Sequence, residues 1–179
     1  HAGLFREFTY GTLQRRLTTV ELPGRQLVQP SAGGVPELVQ QADAPVGVEG
    51  DRELCRELSE RFDLPVRTAS LAIHDALTSL GINRIHLVSP YPGWLTEQTA
   101  AYWSNAGINV VAVDHLLGEG EEFRAYEMET DEVVGHLRAV DPEPDCALLL
   151  TGTGMVSIAS IYQMGHRLRV PILSSNLCG

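Results

Sequence analysis

Residues 85–113 read IHLVSPYPGWLTEQTAAYWSNAGINVVAV, and this stretch decides the fold. The short apolar run from Ile85 to Ser89 predicts a strand. The segment from Thr96 to Asn105 predicts a helix that Gly107 closes, and the run from Ile108 to Val113 predicts a second strand. A strand, a helix and a strand in this order are typical of a parallel sheet covered by helices, so the stretch predicts an α/β protein.

The same alternation continues on both sides of this stretch. Before it, Thr68 to Leu80 places apolar residues at i, i+3 and i+4 intervals and ends at Gly81, which predicts a helix. After it, the pattern predicts two further helices and two further strands: a helix over Glu129 to Val140, a strand over Ala147 to Leu150, a helix over Val156 to Leu168 and a strand over Val170 to Leu173. The regular part of the sequence therefore begins near Leu64.

The first 63 residues show a weaker pattern. Arg52 to Phe62 predicts a helix with Asp51 as its N-cap. A strand over Leu17 to Leu22 and a short helix over Val35 to Gln41 are further expectations. We expect two domains, an N-terminal one over residues 1–64 and a C-terminal one over residues 65–179.

Composition excludes several function classes. Hydrophobic residues make up 44% of the chain and charged residues 20%, which is enough for a core. The formal net charge of -10 disfavours binding to nucleic acid, and the apolar runs are too short to span a membrane. Three cysteines without a CxxC pair disfavour a disulfide framework, and no signal peptide opens the chain. We expect a cytoplasmic protein.

Candidate site residues follow the predicted strands, because ligands of open parallel sheets bind beyond the carboxyl ends of the strands. Asp114 with His115 follows one strand, and His115 is the histidine best placed to act as a base. The other three strands are followed by polar, aromatic or glycine-rich segments: Pro90 to Trp94, Thr151 to Gly154, and Ser174 to Asn176.

The turn from Thr151 to Gly154 precedes a predicted helix. Backbone N–H groups and hydroxyls at a helix N-terminus favour an anion such as a carboxylate. A tight turn whose glycines only avoid steric conflict explains the same residues equally well. Both interpretations stay open from the spacing alone.

Three segments together resemble a known family: Leu87 to Thr96, Thr151 to Met155, and Ser174 to Asn176. They are similar to the aspartate/glutamate racemase superfamily, on the branch of the maleate isomerases and arylmalonate decarboxylases. The resemblance covers roughly Asp51 to Asn176. It implies a three-layer αβα architecture of two flavodoxin-like halves with the ligand cleft between them, and it suggests a homodimer.

The resemblance also implies which residues would bind a small carboxylate substrate without a metal or organic cofactor. Tyr91 matches the family tyrosine that donates a hydrogen bond to a substrate carboxylate. The turn Thr151, Gly152, Thr153 and Gly154 would supply amide and hydroxyl donors, and Ser175 and Asn176 match a loop that approaches the same cleft. For Tyr91 the alternative is packing under the loop, and for Ser175 and Asn176 it is a polar turn.

The departures from the family concern its catalytic cysteines. Gly152 stands where the second cysteine belongs. The first cysteine is expected between about Asp43 and Asp51, where a strand and its loop look skipped, either because they are deleted or because they are missing from the sequence. The N-terminal half over residues 1–64 therefore looks incomplete beside the family pattern. Cys55 and Cys146 are expected to be structural, and Cys178 is the only thiol expected near the cleft. The sequence therefore assigns no catalytic residue.

Three interpretations follow. The first is a cofactor-independent isomerase, racemase or decarboxylase that acts next to a carboxylate of a small organic acid. The second is a catalytically inactive family member that binds a small carboxylate as a sensor or partner module. The third, weaker one is a binding protein of the periplasmic type, which usually begins with an export signal.

Overall fold

The computed structural model describes residues 47–118, 124, 127–152 and 154–178 of the 179-residue chain. These residues belong to a compact unit that spans residues 46–179. The strand expected over Leu17 to Leu22 and the helix expected over Val35 to Gln41 lie outside the described residues. None of the helices in the described ranges is long and apolar enough to cross a membrane.

Helices and strands alternate along most of the described chain. The helices are α1 (Val48–Phe62), α2 (Ala69–Leu80), α3 (Gly93–Asn105), α4 (Thr130–Leu137), α5 (Ser157–Leu168) and α6 (Ser175–Cys178). The strands are β1 (Arg84–Ser89), β2 (Asn109–His115), β3 (Ala147–Leu150) and β4 (Ile172–Ser174).

The four strands form one parallel sheet in the order β2-β1-β3-β4. Ile85 in β1 lies between Val110 in β2 and Ala147 in β3, and Leu148 in β3 pairs with Ile172 in β4. The chain moves from β1 to one side of the sheet and then crosses to β3 on the other side. Such a reversal of strand order is a switch point, where ligands of open α/β sheets bind. The predicted α/β class with a parallel sheet is confirmed.

Both faces of the sheet are covered by helices because successive strand residues point to opposite faces. Leu87 and Leu149 lie on one face and pack with Leu77 of α2 and Trp103 of α3. Alternate residues of the same strands pack on the other face against helices α4 and α5; they are Val88, Leu148 and Leu150. Burial of each such side chain contributes about 1.5 to 3 kcal/mol, so the two-sided core holds the strand ends in fixed positions.

The ends of α2 are those that the sequence predicts. Thr68 caps the N-terminus, where its side-chain oxygen accepts a hydrogen bond from the Leu71 N–H at 3.2 Å. Gly81 closes the helix with a φ of 67°, in the left-handed region that favours glycine.

The N-terminus of α1 differs from the prediction. The helix begins at Val48, so Asp51 lies in its first turn and is not the N-cap. The Asp51 carboxylate accepts hydrogen bonds from the Thr68 hydroxyl at 3.0 Å and from the Tyr102 hydroxyl at 2.9 Å. These contacts tie α1 to the start of α2 and to α3.

Several other boundaries also differ, among them the start of β4, which lies at Ile172 and not at the predicted Val170. Strand β2 continues to His115 because Val88 and Ser89 pair with Asp114 and His115. Helix α3 begins three residues before Thr96, at Gly93, directly after the φ-restricted Pro92. Helix α4 ends at Leu137, before the predicted Val140, and Ser174 extends β4 by pairing with Leu150.

Candidate active site

Tyr91 and Gly152 meet at the carboxyl ends of β1 and β3, the two strands of the switch point. A Cβ atom built on Gly152 would lie 3.6 Å from the Tyr91 hydroxyl oxygen and 2.9 Å from Cγ of Pro90. The structure thus brings together two of the residues that the sequence singles out, although they are far apart along the chain. Their roles as ligand-binding residues stay predictions.

The backbone conformation at position 152 requires a glycine. Its φ is +96°, which residues with a side chain rarely adopt, and Pro90 occupies the space that a Cβ would need. A cysteine at this position would therefore be strained by its own backbone and by its contact with Pro90. The geometry of this turn therefore explains why position 152 carries no thiol. A single substitution of Gly152 by cysteine would destabilise the turn.

The backbone of Tyr91 is held by two hydroxyl groups. The Tyr91 N–H donates to Ser89 Oγ at 3.2 Å, and the Thr96 hydroxyl donates to the Tyr91 carbonyl oxygen at 3.2 Å. The two hydroxyl oxygens are 2.7 Å apart, and both side chains are buried. No role was expected for Ser89 or Thr96 from the sequence, although a serine that ends an apolar strand is a visible signal.

Thr151 continues the sheet beyond the end of β3. Its N–H and its hydroxyl both donate to the Val88 carbonyl oxygen, at 3.1 Å and 3.3 Å, and only 6% of the residue is exposed. The Thr151 hydroxyl thus donates its proton to the backbone of the neighbouring strand. Gly154 lies half-buried in the following turn, and Thr153 lies outside the described residues.

Asn176 and Ser175 lie in the short helix α6, where the sequence suggested a loop. The Asn176 side-chain amide donates to the Met155 carbonyl oxygen at 2.6 Å. This bond places α6 against the turn that follows β3. Ser175, the first residue of α6, is half-buried. Asn176 therefore approaches the glycine turn as the sequence suggests, with its amide N–H holding the turn.

Two helix N-termini follow the switch-point strands and lack a capping side chain. They belong to α3, which follows β1, and to α5, which follows β3; neither helix has an acidic residue in its first turn. Helices α1 and α4, in contrast, carry acidic residues in their first turns. The first-turn N–H groups of a helix and its dipole in general favour an anion, and no capping side chain competes for this position at the starts of α3 and α5.

The described thiols are poorly suited to nucleophilic chemistry. Cys55 is buried in α1 and packs with Val48 and Leu71. Burial raises the pKa of the Cys146 thiol, at the start of β3, and also that of the Cys178 thiol in α6. A raised pKa lowers the fraction of thiolate at neutral pH, so no catalytic role is assigned to these cysteines.

A histidine–carboxylate pair links β1 to β2. Nε2 of the buried His86 lies 2.7 Å from Oδ2 of Asp114, while His115 is exposed. This pair was not predicted from the sequence, although the polar His86 within an apolar strand was a signal for a buried polar contact. Asp114 is therefore engaged with His86 in the structure. The described ranges contain no cluster of three or more histidine, cysteine or acidic residues that could hold a metal ion.

A groove of about 400 Å³ lies elsewhere in the molecule, between α1 and the start of α2. None of the predicted site residues lines it; its walls include Arg52, Cys55, Val66 and Leu71. We place the site at the switch point because several predicted residues converge there.

Comparison with known proteins gives consistent matches. The model of a family described as arylmalonate decarboxylase matches residues 46–179. The arylmalonate decarboxylase of Bordetella bronchiseptica is 29% identical over 124 residues, which are 68% of this chain and 51% of that protein. The chain thus spans about half the length of this curated relative. The resemblance found in the sequence is confirmed.

Solved structures show the same likeness. A crystal structure of arylmalonate decarboxylase matches with a TM-score of 0.64 and 27% identity, and the match covers 74% of this chain and 59% of that chain. The maleate isomerase Iso from Pseudomonas putida S16 matches with a TM-score of 0.61 and 23% identity, over 71% of this chain and 52% of that one. The second match shows the fold alone.

Proposed function

Because this chain belongs to the arylmalonate decarboxylase family, we propose that it functions as a cofactor-independent decarboxylase, isomerase or racemase acting next to a carboxylate of a small organic acid. The activity is a proposal for the protein as a whole, since the matched relatives are longer than this chain.

One observation carries the proposal. The Tyr91 hydroxyl lies beside the backbone of Gly152, at the carboxyl ends of the two switch-point strands. A phenol donates a hydrogen bond to a carboxylate, and the nearby start of α5 adds N–H groups without a competing acidic side chain. This arrangement suits a carboxylate better than a neutral or cationic ligand.

The same donors would assist the chemistry. In decarboxylation of an arylmalonate, one C–C bond breaks, CO2 leaves, and the electron pair moves into the remaining carboxylate to form an enediolate. Tyr91 and the backbone amides would stabilise the charge that develops on that carboxylate. A proton then adds to the α-carbon. Gly152 has no side chain that could transfer it, so the proton comes from a group other than residue 152.

Proton NMR in D2O tests the proposal and separates the reaction classes. Phenylmalonate that decarboxylates gives phenylacetate carrying deuterium at the α-carbon, maleate that isomerises gives fumarate, and a racemase exchanges the α-proton of a chiral carboxylate. We expect one of the three reactions to be faster with the protein than without it. Absence of all three would contradict the enzymatic proposal.

Gly152 in place of a thiol favours the second candidate, a protein that binds a carboxylate without converting it. Titration of phenylmalonate and maleate against the protein distinguishes the two. The fluorescence of Trp94, which is 60% exposed and three residues after Tyr91, is a native reporter. Saturable binding without any of the three reactions would support the binding module.

Two finer expectations accompany the proposal. We propose a homodimer and a location in the cytoplasm. Size-exclusion chromatography with light scattering tests the homodimer, for which the expected mass is twice that of the chain.

A further inference from the structure

The hydrogen bonds around Tyr91 can all be satisfied at once in one arrangement. A carbonyl oxygen only accepts, so Thr96 donates its hydroxyl proton in its contact with the Tyr91 carbonyl oxygen. Either hydroxyl could donate across the 2.7 Å contact, and in this arrangement Ser89 donates to Thr96 Oγ1. Since Ser89 Oγ also accepts from the Tyr91 N–H, the bonds form a closed ring that begins and ends at Tyr91.

This hydroxyl ring, formed by Tyr91, Ser89 and Thr96, joins three elements of the fold. Ser89 ends the central strand β1 and is fully buried, whereas Thr96 lies in α3 and is 3% exposed. Each hydroxyl uses its one proton and accepts one bond, so neither buried group lacks a partner. The backbone of Tyr91 is thus fixed at both its N–H and its carbonyl by the rigid sheet and the helix.

We propose that Ser89 and Thr96 are positioning residues, which hold Tyr91 so that its hydroxyl points to the carboxylate site beside Gly152. The inference rests on the proposed function, because it assigns the ring to the same site. If a hydrogen-bond donor on a loop becomes ordered only when the ligand binds, the cost of ordering it weakens the binding. The ring removes that cost because it orders the tyrosine beforehand.

The test compares substitutions that remove or keep one hydroxyl. Thr96→Val and Ser89→Ala break the ring, whereas Thr96→Ser keeps it. Thr99→Val is the matched control, because Thr99 lies in the same helix and donates only to the Leu95 carbonyl oxygen. Phenylmalonate and maleate are titrated against each variant by calorimetry, and thermal unfolding records any general loss of stability.

We expect Thr96→Val and Ser89→Ala to weaken carboxylate binding by about 3- to 10-fold, the range of one net hydrogen bond. Thr96→Ser and Thr99→Val should bind as the wild-type protein does. If Thr96 had only a structural role, Thr96→Val would weaken binding by the same factor in the wild-type protein and in the Tyr91→Phe variant. The positioning role instead predicts that Thr96→Val has little further effect once Tyr91→Phe has removed the hydroxyl that the ring positions.

The outcomes separate this inference from the proposed function. If the wild-type protein binds and Tyr91→Phe weakens binding, but Thr96→Val does not, the positioning role is wrong and the proposed function stands. The positioning role is also wrong if Thr96→Val weakens binding as strongly in the Tyr91→Phe background as in the wild-type protein. If the wild-type protein binds neither probe, the proposed function fails and the inference fails with it.

Discussion

Substitution of Gly152 by alanine tests how the turn after β3 is built. At a φ of +96° a side chain costs about 1 to 3 kcal/mol in backbone strain. The new methyl group would also lie 2.9 Å from Cγ of Pro90, and such overpacking costs about 1 to 3 kcal/mol. Movement of the proline ring relieves part of this contact, so we expect a total loss of about 2 to 4 kcal/mol.

Thermal unfolding followed by circular dichroism measures this loss. For a chain of this size, about 2 to 4 kcal/mol corresponds to a decrease in Tm of roughly 5 to 15 °C. Two other glycines are controls. Gly81 has a φ of +67° but open space around it, so Gly81→Ala should lose only the strain. Gly135 lies exposed in α4 with no steric neighbour, so Gly135→Ala should be neutral or stabilising.

The order of the three variants decides whether this reasoning is correct. We expect Gly152→Ala to be the least stable, Gly81→Ala to be intermediate and Gly135→Ala to be the most stable. If Gly152→Ala is no less stable than Gly81→Ala, the Pro90 contact costs nothing. The part of the explanation for the missing thiol that rests on Pro90 would then be refuted, and only the backbone strain would remain.

Three further substitutions test the packing and the charges. Burial, with the Asp51 carboxylate beside it, raises the pKa of Tyr102, so the stability that the protonated Tyr102 contributes should be lost as the pH rises above about 10. Denaturant titrations should show a smaller loss of stability at alkaline pH for Tyr102→Phe than for the wild-type protein. An equal loss in the two proteins would contradict this. Leu149→Ala should lower the free energy of unfolding by about 2 to 5 kcal/mol in urea, since Leu149 is fully buried, and a loss below about 1 kcal/mol would be inconsistent with its packing. The hydrogen-bonded Arg124 lowers the pKa of Glu132, so part of the folded state's stability should be lost as the pH falls through the acidic range. Acid unfolding curves should show a smaller loss for Glu132→Gln than for the wild-type protein.

Local periodicity predicted most of the fold from Leu64 onward. Strand β3 and helix α2 were predicted within one residue because alternation, capping and glycine stops act locally. Boundaries were less accurate where a distant partner decides them. Strand β2 continues to His115 only because β1 pairs with it there, and α1 begins at Val48 although Asp51 resembles an N-cap.

The site was predictable in part. Strand ends in a parallel sheet meet at one edge, so Tyr91 and the turn at Gly152 could be placed in the same region from the sequence. The hydroxyl ring and the His86–Asp114 pair could not be predicted, because they depend on the angle of α3 and on the register between β1 and β2. Neither quantity is encoded in a local pattern.

The central claim is that Tyr91 binds a carboxylate at the switch point of the sheet. Calorimetric titration of phenylmalonate against the wild-type protein and the Tyr91→Phe variant tests it most directly. A hydrogen bond to a charged group contributes about 1.5 to 3 kcal/mol, so we predict a Kd that is roughly 10- to 150-fold weaker for the variant. Equal Kd values for the two proteins, with unchanged thermal stability, would contradict the claim.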